Sequence, residues 1–211
     1  MRRYDGYKYT FYSNDLSNPN SLGGTWIQSL CASRTGDIWI GTKKDGLDRF
    51  DPATGKFKHF RFDPKDINSI SNDDIRSILE DREGILWIGT AEGLNRFDPS
   101  TGNIKRFYHD PKDPQSLSCN QVVKVYEDRE GTIWVGTGNI LHDEGGKTDE
   151  GGLNRLDKKT GKFTRFLHEK NNPESLINNK VKPSLRTAGE LFGLVQLVTA
   201  CILWTGQKVP F

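Results

Sequence analysis

Glu80-Asp81-Arg82-Glu83-Gly84-Ile85-Leu86-Trp87-Ile88-Gly89-Thr90 returns with few changes as Glu127-Asp128-Arg129-Glu130-Gly131-Thr132-Ile133-Trp134-Val135-Gly136-Thr137. A degenerate third copy runs from Ala32 to Thr42. The tryptophans Trp39, Trp87 and Trp134 lie 87 − 39 = 48 and 134 − 87 = 47 residues apart. A fixed period of this size marks a chain assembled from stacked copies of one small unit.

Working outward, each copy continues in the same order. Gly-Leu-(Asn/Asp)-Arg-(Phe/Leu)-Asp follows at Gly46–Asp51, Gly93–Asp98 and Gly152–Asp157. A turn ending in Thr-Gly comes next, at Asp51–Gly55, Asp98–Gly102 and Asp157–Gly161. An aromatic segment then leads into a polar stretch closed by Ser69-Ile70, Ser116-Leu117 or Ser175-Leu176. The apolar segments are short, rich in β-branched and aromatic residues, and bounded by Gly, Pro and Asp, so they read as strands. No segment carries a helical period of useful length.

Four antiparallel strands per unit describe a propeller blade, and one such sheet buries both faces only by stacking on its neighbours. The expected fold class is therefore all-β: a partial β-propeller of about three four-stranded blades plus one stray strand, with an irregular or helical C-terminal tail. Residues 1–22 are assigned to the last strand of a preceding blade and a linker, 23–182 to three blades, and 183–211 to the tail. Trp39, Trp87 and Trp134 are expected to pack between blades, because large aromatics dominate cores. Asp81 and Asp128 suit a tight hairpin turn, with Gly84 and Gly131 supplying its positive φ.

The formal charge of +2 and the interleaving of acidic with basic residues give no case for nucleic acid as a partner. Cys31, Cys119 and Cys201 fall at unrelated positions of the unit, so neither a disulfide nor a metal site is expected. His59 and His109 sit near the ends of outer strands, where solvent exposure is expected. No nucleophile elbow, phosphate loop, zinc motif or dinucleotide fingerprint is present, and no catalytic residue, cofactor or metal is assigned.

With these residues in hand, the repeat resembles the two-component regulator propeller. The resemblance covers roughly Gly24–Lys182 and keeps both order and spacing in three copies. It implies a signal-transduction sensor of a phosphorelay, in which many such blades form periplasmic propellers ahead of a kinase module. Many sensors of that family respond to breakdown products of complex polysaccharides, so an oligosaccharide ligand is implied for the parent protein. Its partners would be the missing blades and the kinase module, with no membrane contact by the in-frame region. Met1-Arg2-Arg3 is followed by polar residues, so the chain alone is expected to remain cytoplasmic, although the parent family is periplasmic. A protein-binding scaffold is the second reading. A propeller lyase or glycosidase ranks last: the recurring acids recur with the fold, whereas a catalytic pair would break the repeat.

After Lys182 the motif fails to return. Leu191–Trp204 is an apolar run of about 14 residues, short for a membrane helix. Allowed codons for Pro183–Gln196, read two bases later, spell Glu-Asp-Arg-Arg-Gly-Thr-Leu-Trp-Ile-Gly-Thr, with the tryptophan at the expected spacing. Pro183–Phe211 is accordingly expected to be an out-of-frame tail that does not extend the propeller.

Strand direction alternates, so the turns after first and third strands share one face, and the loops after second and fourth strands share the other. The third unit carries 157 − 98 = 59 residues where the second carries 98 − 51 = 47, and the extra residues fall in Gly138–Glu150. Binding residues concentrate on loops held by a rigid scaffold. Asn139, His142, Asp143, Glu144 and Lys147 of this insertion are the candidate ligand-binding residues, against the plainer reading of a solvated, Gly-rich loop.

Overall fold

The computed structural model describes residues 1–4, 6–138, 151–176, 178–179, 181–182, 192–196 and 201–204. Every regular element among them is a strand. β1 (Arg2–Tyr4) and β2 (Tyr9–Phe11) form an N-terminal hairpin. The first blade is β3 (Ile27–Ala32), β4 (Ile38–Thr42), β5 (Leu47–Asp51) and β6 (Lys56–Phe60). The second is β7 (Ile75–Glu80), β8 (Leu86–Thr90), β9 (Gly93–Phe97) and β10 (Ile104–Phe107). The third is β11 (Val122–Glu127), β12 (Ile133–Gly138), β13 (Gly151–Leu156) and β14 (Phe163–Phe166). Within each blade the strands pair antiparallel in chain order. Three four-stranded blades thus follow one another at the period, consistent with a partial propeller.

Side-chain alternation explains how the blades stack. On β8, Leu86 and Ile88 point back to the first blade, while Trp87 and Gly89 point forward to the third. One core cluster joins Trp39 and Leu47 of the first blade to Ile70, Ile75, Leu86, Ile88 and Phe97 of the second. Its counterpart joins Ile85, Trp87 and Leu94 of the second to Leu117, Val122, Val125, Ile133, Val135, Leu156 and Phe163 of the third. Trp39 meets Phe97 edge-on at 5.6 Å between ring centroids. The glycine of Trp-x-Gly-Thr serves this approach: a Cβ built on Gly89 would lie 2.5 Å from Val122 Cγ1, and one on Gly41 2.5 Å from Ile75 Cγ2. Trp39 and Trp87 are each 2 % exposed, whereas Trp134, on the forward face of the third blade, is half-buried.

On the short-turn face, one carboxylate ties the hairpin in the second and third blades. Asp81 Oδ1 accepts the Glu83 and Ile85 N–H groups at 2.9 and 3.0 Å, and Oδ2 accepts the Trp87 indole N–H at 2.8 Å. Asp128 repeats this with Glu130, Thr132 and Trp134. Gly84 and Gly131 close the turns at φ 82° and 85°. Ser33 takes this place in the first blade. Lys158, where the second blade has Pro99, reaches back from the third blade to Asp81 Oδ2 at 3.0 Å and Glu127 Oε1 at 3.4 Å. Burial alone would lower the Lys158 ammonium, but the Asp81 bond and the charges of Asp81, Glu83 and Glu127 more than offset it and raise the pKa.

The structure departs from the sequence reading at both ends. The N-terminus contributes two strands rather than one. Met1-Arg2-Arg3-Tyr4 occupies the place of Leu47-Asp48-Arg49-Phe50, and the Tyr12 N–H donates to Met1 O at 2.9 Å. Tyr12 packs on Phe50 and Phe57, so this hairpin is the outer half of a preceding blade. At the C-terminal end, β15 (Val181–Lys182) of the blade region pairs antiparallel with β16 (Phe192–Gln196) of the tail, and β16 with β17 (Cys201–Trp204), with β15 against the third blade. The expectation of an irregular or helical segment outside the blade order is corrected for these stretches. Val181 and Phe192 each stand 59 residues after the start of β11 and β12, where the period places the next pair of strands. Phe-Gly-Leu-Val-Gln and Cys-Ile-Leu-Trp have strand composition without a helical period.

Candidate ligand site on the loop face

The loops after the fourth strands are closed by hydrogen bonds encoded locally. In the second unit's approach, Asp63 accepts the Lys65 N–H at 2.8 Å, Asp66 accepts the Asn68 N–H at 2.8 Å, and Ser69 Oγ accepts the Asp63 N–H at 2.8 Å. The same closure recurs from Ser21 to Asp15, Ser116 to Asp110 and Ser175 to Glu169. An arginine of the following blade then clamps two of these loops. Arg106 donates to the carbonyls of Ser69 and Asp66 at 2.8 and 2.7 Å, and Arg165 to those of Ser116 and Asp113 at 2.8 Å each.

The first blade builds this node differently. Asn95 and Asn154, which bond Ser71 and Ser118 in the later blades, give way to Asp48, fully buried. Asp48 accepts the Gly23 N–H at 2.7 Å and faces His59 Nδ1 at 2.7 Å and Arg61 at 3.0 Å. His59 stands in the arginine's place and reaches the Pro19 carbonyl with Nε2 at 2.9 Å. Gly23 replaces serine because a Cβ there would lie 2.0 Å from the Arg61 guanidinium. His59 is thus half-buried as the partner of a buried acid, less exposed than expected. His109 is half-buried and anchors on the Leu117 carbonyl at 2.6 Å.

Inside this frame, the chain breaks its own repeat at the mouth formed by the first strands. One backbone bond is common to all three blades: Lys43 N–H to Trp26 O, Ala91 to Asp74 and Gly138 to Gln121, at 3.0, 3.1 and 2.9 Å. The side chains on it share nothing. Two residues on, a β-bulge is present in every blade, between Ile27 and Ser29, Ile75 and Ser77, and Val122 and Lys124. The bulged residues are Gln28, Arg76 and Val123. Bulges re-aim side chains and are common beside functional sites. Here Gln28 Nε2 donates across the blade boundary to Asp74 Oδ1, while Arg76 approaches Asp74 Oδ2 at 3.4 Å. Trp26 is 62 % exposed, and Lys43 Nζ sits 4.0 Å from its ring centroid. An aromatic face, an amide, a carboxylate and a guanidinium gather on one rim. Sequence reasoning missed them, although one signal was available: these positions vary where their neighbours recur.

The insertion candidates Asn139, His142, Asp143, Glu144 and Lys147 lie outside the described residues. No group of three His, Cys, Asp or Glu side chains able to hold a metal ion occurs among the described residues. Nor, among them, is any helix long and apolar enough to cross a membrane.

Known structures carry the same fold. The extracellular domain of a protein described as a hybrid two-component system from B. thetaiotaomicron matches at 28 % identity and a TM-score of 0.60, covering 84 % of this chain and 20 % of that one. A second such domain from the same organism matches at 21 % identity and TM-score 0.58, covering 82 % of this chain and 26 % of that one. Virginiamycin B lyase from Staphylococcus aureus matches at 16 % identity and TM-score 0.51, covering 81 % of this chain and 48 % of that one, a likeness of fold alone. The chain spans about a fifth of the length of the first of these relatives. Comparison with the curated proteins gives no match. The resemblance of the repeat to sensor propellers and the kinship in structure therefore agree. A family model covers residues 30–177, and by that match the chain belongs to the SMP-30/Gluconolactonase/LRE-like region family.

Proposed function

We propose that this chain is part of the ligand-sensing propeller of a two-component signal-transduction sensor, that it binds without catalysing a reaction, and that its ligand is an oligosaccharide. One observation carries the reading. The repeat is largely kept on the faces where blades pack and is broken on the loop-face rim, where Trp26, Gln28, Asp74 and Arg76 stand. Planar polar side chains pair with vicinal hydroxyls, and an exposed indole accepts the C–H face of a sugar ring. The extracellular placement of the similar domains accords with sensing outside the cytoplasm. The family name includes a lactonase and one similar fold is a lyase, so the test must also look for turnover.

The experiment is a panel of neutral and acidic oligosaccharides screened by thermal shift and calorimetry, with product analysis of each mixture. A ligand at a hundred times its Kd should raise stability by about 2.7 kcal/mol. Asp74→Ala should abolish that response while leaving the unliganded melt in place. Consumption of a sugar or lactone would refute a purely sensing role, and binding of a protein but no glycan would favour the scaffold reading.

A further inference from the structure

We propose that Trp26, Lys43 and Lys44 form a subsite for a pyranose ring bearing an anionic substituent, a carboxylate or a sulfate. This deepens the oligosaccharide reading above and rests on it.

Trp26 is not a tryptophan the fold demands. Trp39, Trp87 and Trp134 recur with the period, whereas the counterparts of Trp26 are Asp74 and Gln121. Leaving an indole 62 % exposed forgoes burial that the blade interfaces would reward. The backbone bond beneath it is the one shared by all blades, so the side chain is free to be chosen for what it meets.

The second partner breaks the repeat as well. Lys43 stands where the other blades have Ala91 and Gly138, and its ammonium lies 4.0 Å from the indole centroid. A cation over an aromatic face is held in place rather than waving in solvent. The loop after the second strand is one residue longer in the first blade, Thr42–Gly46 against Thr90–Gly93, and the added length brings exposed Lys44 beside Lys43 where the second blade has Glu92. Local charge is therefore reversed at this one corner of the rim.

The neighbouring acids offset it only in part: Lys43, Lys44 and Asp45 together leave this loop at +1. Asp45 folds against the backbone of Gly24, where a built Cβ would lie 2.3 Å from Asp45 Oδ2. Asp74 is engaged by Gln28 and Arg76. What remains facing outward is an indole with the Lys43 ammonium over one face, and exposed Lys44 next to Lys43 in the same loop. A neutral ring could stack there but would leave the ammonium groups uncompensated on desolvation. A uronic acid or sulfated sugar satisfies both.

The test uses the full chain with three probes of equal length: an oligogalacturonide, a sulfated glycan and a neutral oligosaccharide, measured by calorimetry and tryptophan fluorescence. At least one anionic probe should bind about tenfold or more tightly than the neutral one, a difference of about 1.4 kcal/mol. Trp26→Ala should remove binding. Lys43→Ala should weaken it about fivefold to tenfold and flatten its salt dependence, while Lys43→Arg keeps it within about threefold. Equal binding of the neutral probe, indifferent to Lys43→Ala, would overturn the anionic subsite and leave the oligosaccharide reading standing. Anionic binding indifferent to Trp26→Ala would move the site elsewhere. Failure of every probe to bind would take the oligosaccharide reading down with it. Since all three side chains reach solvent, unchanged melting curves of the variants establish that folding is not the cause.

Discussion

Asp81→Asn tests whether a single carboxylate ties two blades together. Asp81 is 1 % exposed and accepts four hydrogen bonds, two from its own turn, one from Trp87 and one from Lys158 of the next blade. The amide keeps one oxygen for the turn N–H groups and places an NH2 against the indole N–H and the ammonium, so two donors face a donor. Losing a charge-assisted bond to the indole costs about 1.5–3 kcal/mol. The Lys158 contribution is discounted to about 1 kcal/mol, since that side chain is 23 % exposed. The sum is about 3 kcal/mol, read as a shift in the urea midpoint at constant slope. Asp128→Asn is the internal control: the turn and indole bonds are the same, without a lysine among the described contacts, and about 1.5–2 kcal/mol is expected. A double-mutant cycle of Asp81→Asn with Lys158→Met should return a coupling of about 1 kcal/mol. Equal losses at Asp81 and Asp128, with no coupling to Lys158, would refute the inter-blade tie.

Gly89→Ala should destabilise the chain by about 2 kcal/mol, because the new methyl meets β-branched Val122 of the next blade. Gly84→Ala, at positive φ but with open space around it, should cost only about 1 kcal/mol in the same melt. Arg106→Ala should speed amide exchange across Asp66–Ser69 and cost about 2 kcal/mol, since three bonds to that loop are lost. Acid should unfold the chain in part through Asp81. Burial alone would raise its carboxyl, but the Trp87, Lys158 and Ile85 bonds more than offset this and hold the pKa below the usual range. A depressed folded pKa gives stability that is complete above the unfolded value near about 4 and is lost as pH falls through the folded one. Melting temperature should therefore be flat near neutrality and fall below about pH 4, less steeply in Asp81→Asn.

Much of the fold was legible because packing repeats. Trp87, Leu94 and Phe97 recur at the period since each blade must offer its neighbour the same faces, and the strand boundaries fell close to Gly and Asp punctuation. The N-terminal strand Arg2–Tyr4 escaped notice because only Arg3 and Asp5 of its motif are kept outright. The strands Phe192–Gln196 and Cys201–Trp204 went unread because composition was weighed against a missing motif, while Val181 and Phe192 kept the period in position alone. The role of Asp81 was half seen: its turn bonds are local, but its bond to Lys158 spans 158 − 81 = 77 residues and exists only once the blades are stacked. The rim of Trp26, Gln28, Asp74 and Arg76 could not be found by looking for recurrence. Its residues are conspicuous only as departures from a repeat whose backbone alignment the structure supplies.

The arginine clamps bear on how such a chain can grow. Arg106 and Arg165 hold the preceding loop through its main-chain carbonyls and one serine hydroxyl, not through residues peculiar to that loop. A duplicated unit inserted anywhere in the array would find the same acceptors ahead of it and present the same ones behind. Gene duplication could thus add blades without first inventing new interfaces, leaving the inner rim free to diverge from copy to copy. The first blade marks the limit of that freedom: once Asp48, His59, Arg61 and Gly23 replaced the common node, they became a set that has to be inherited together.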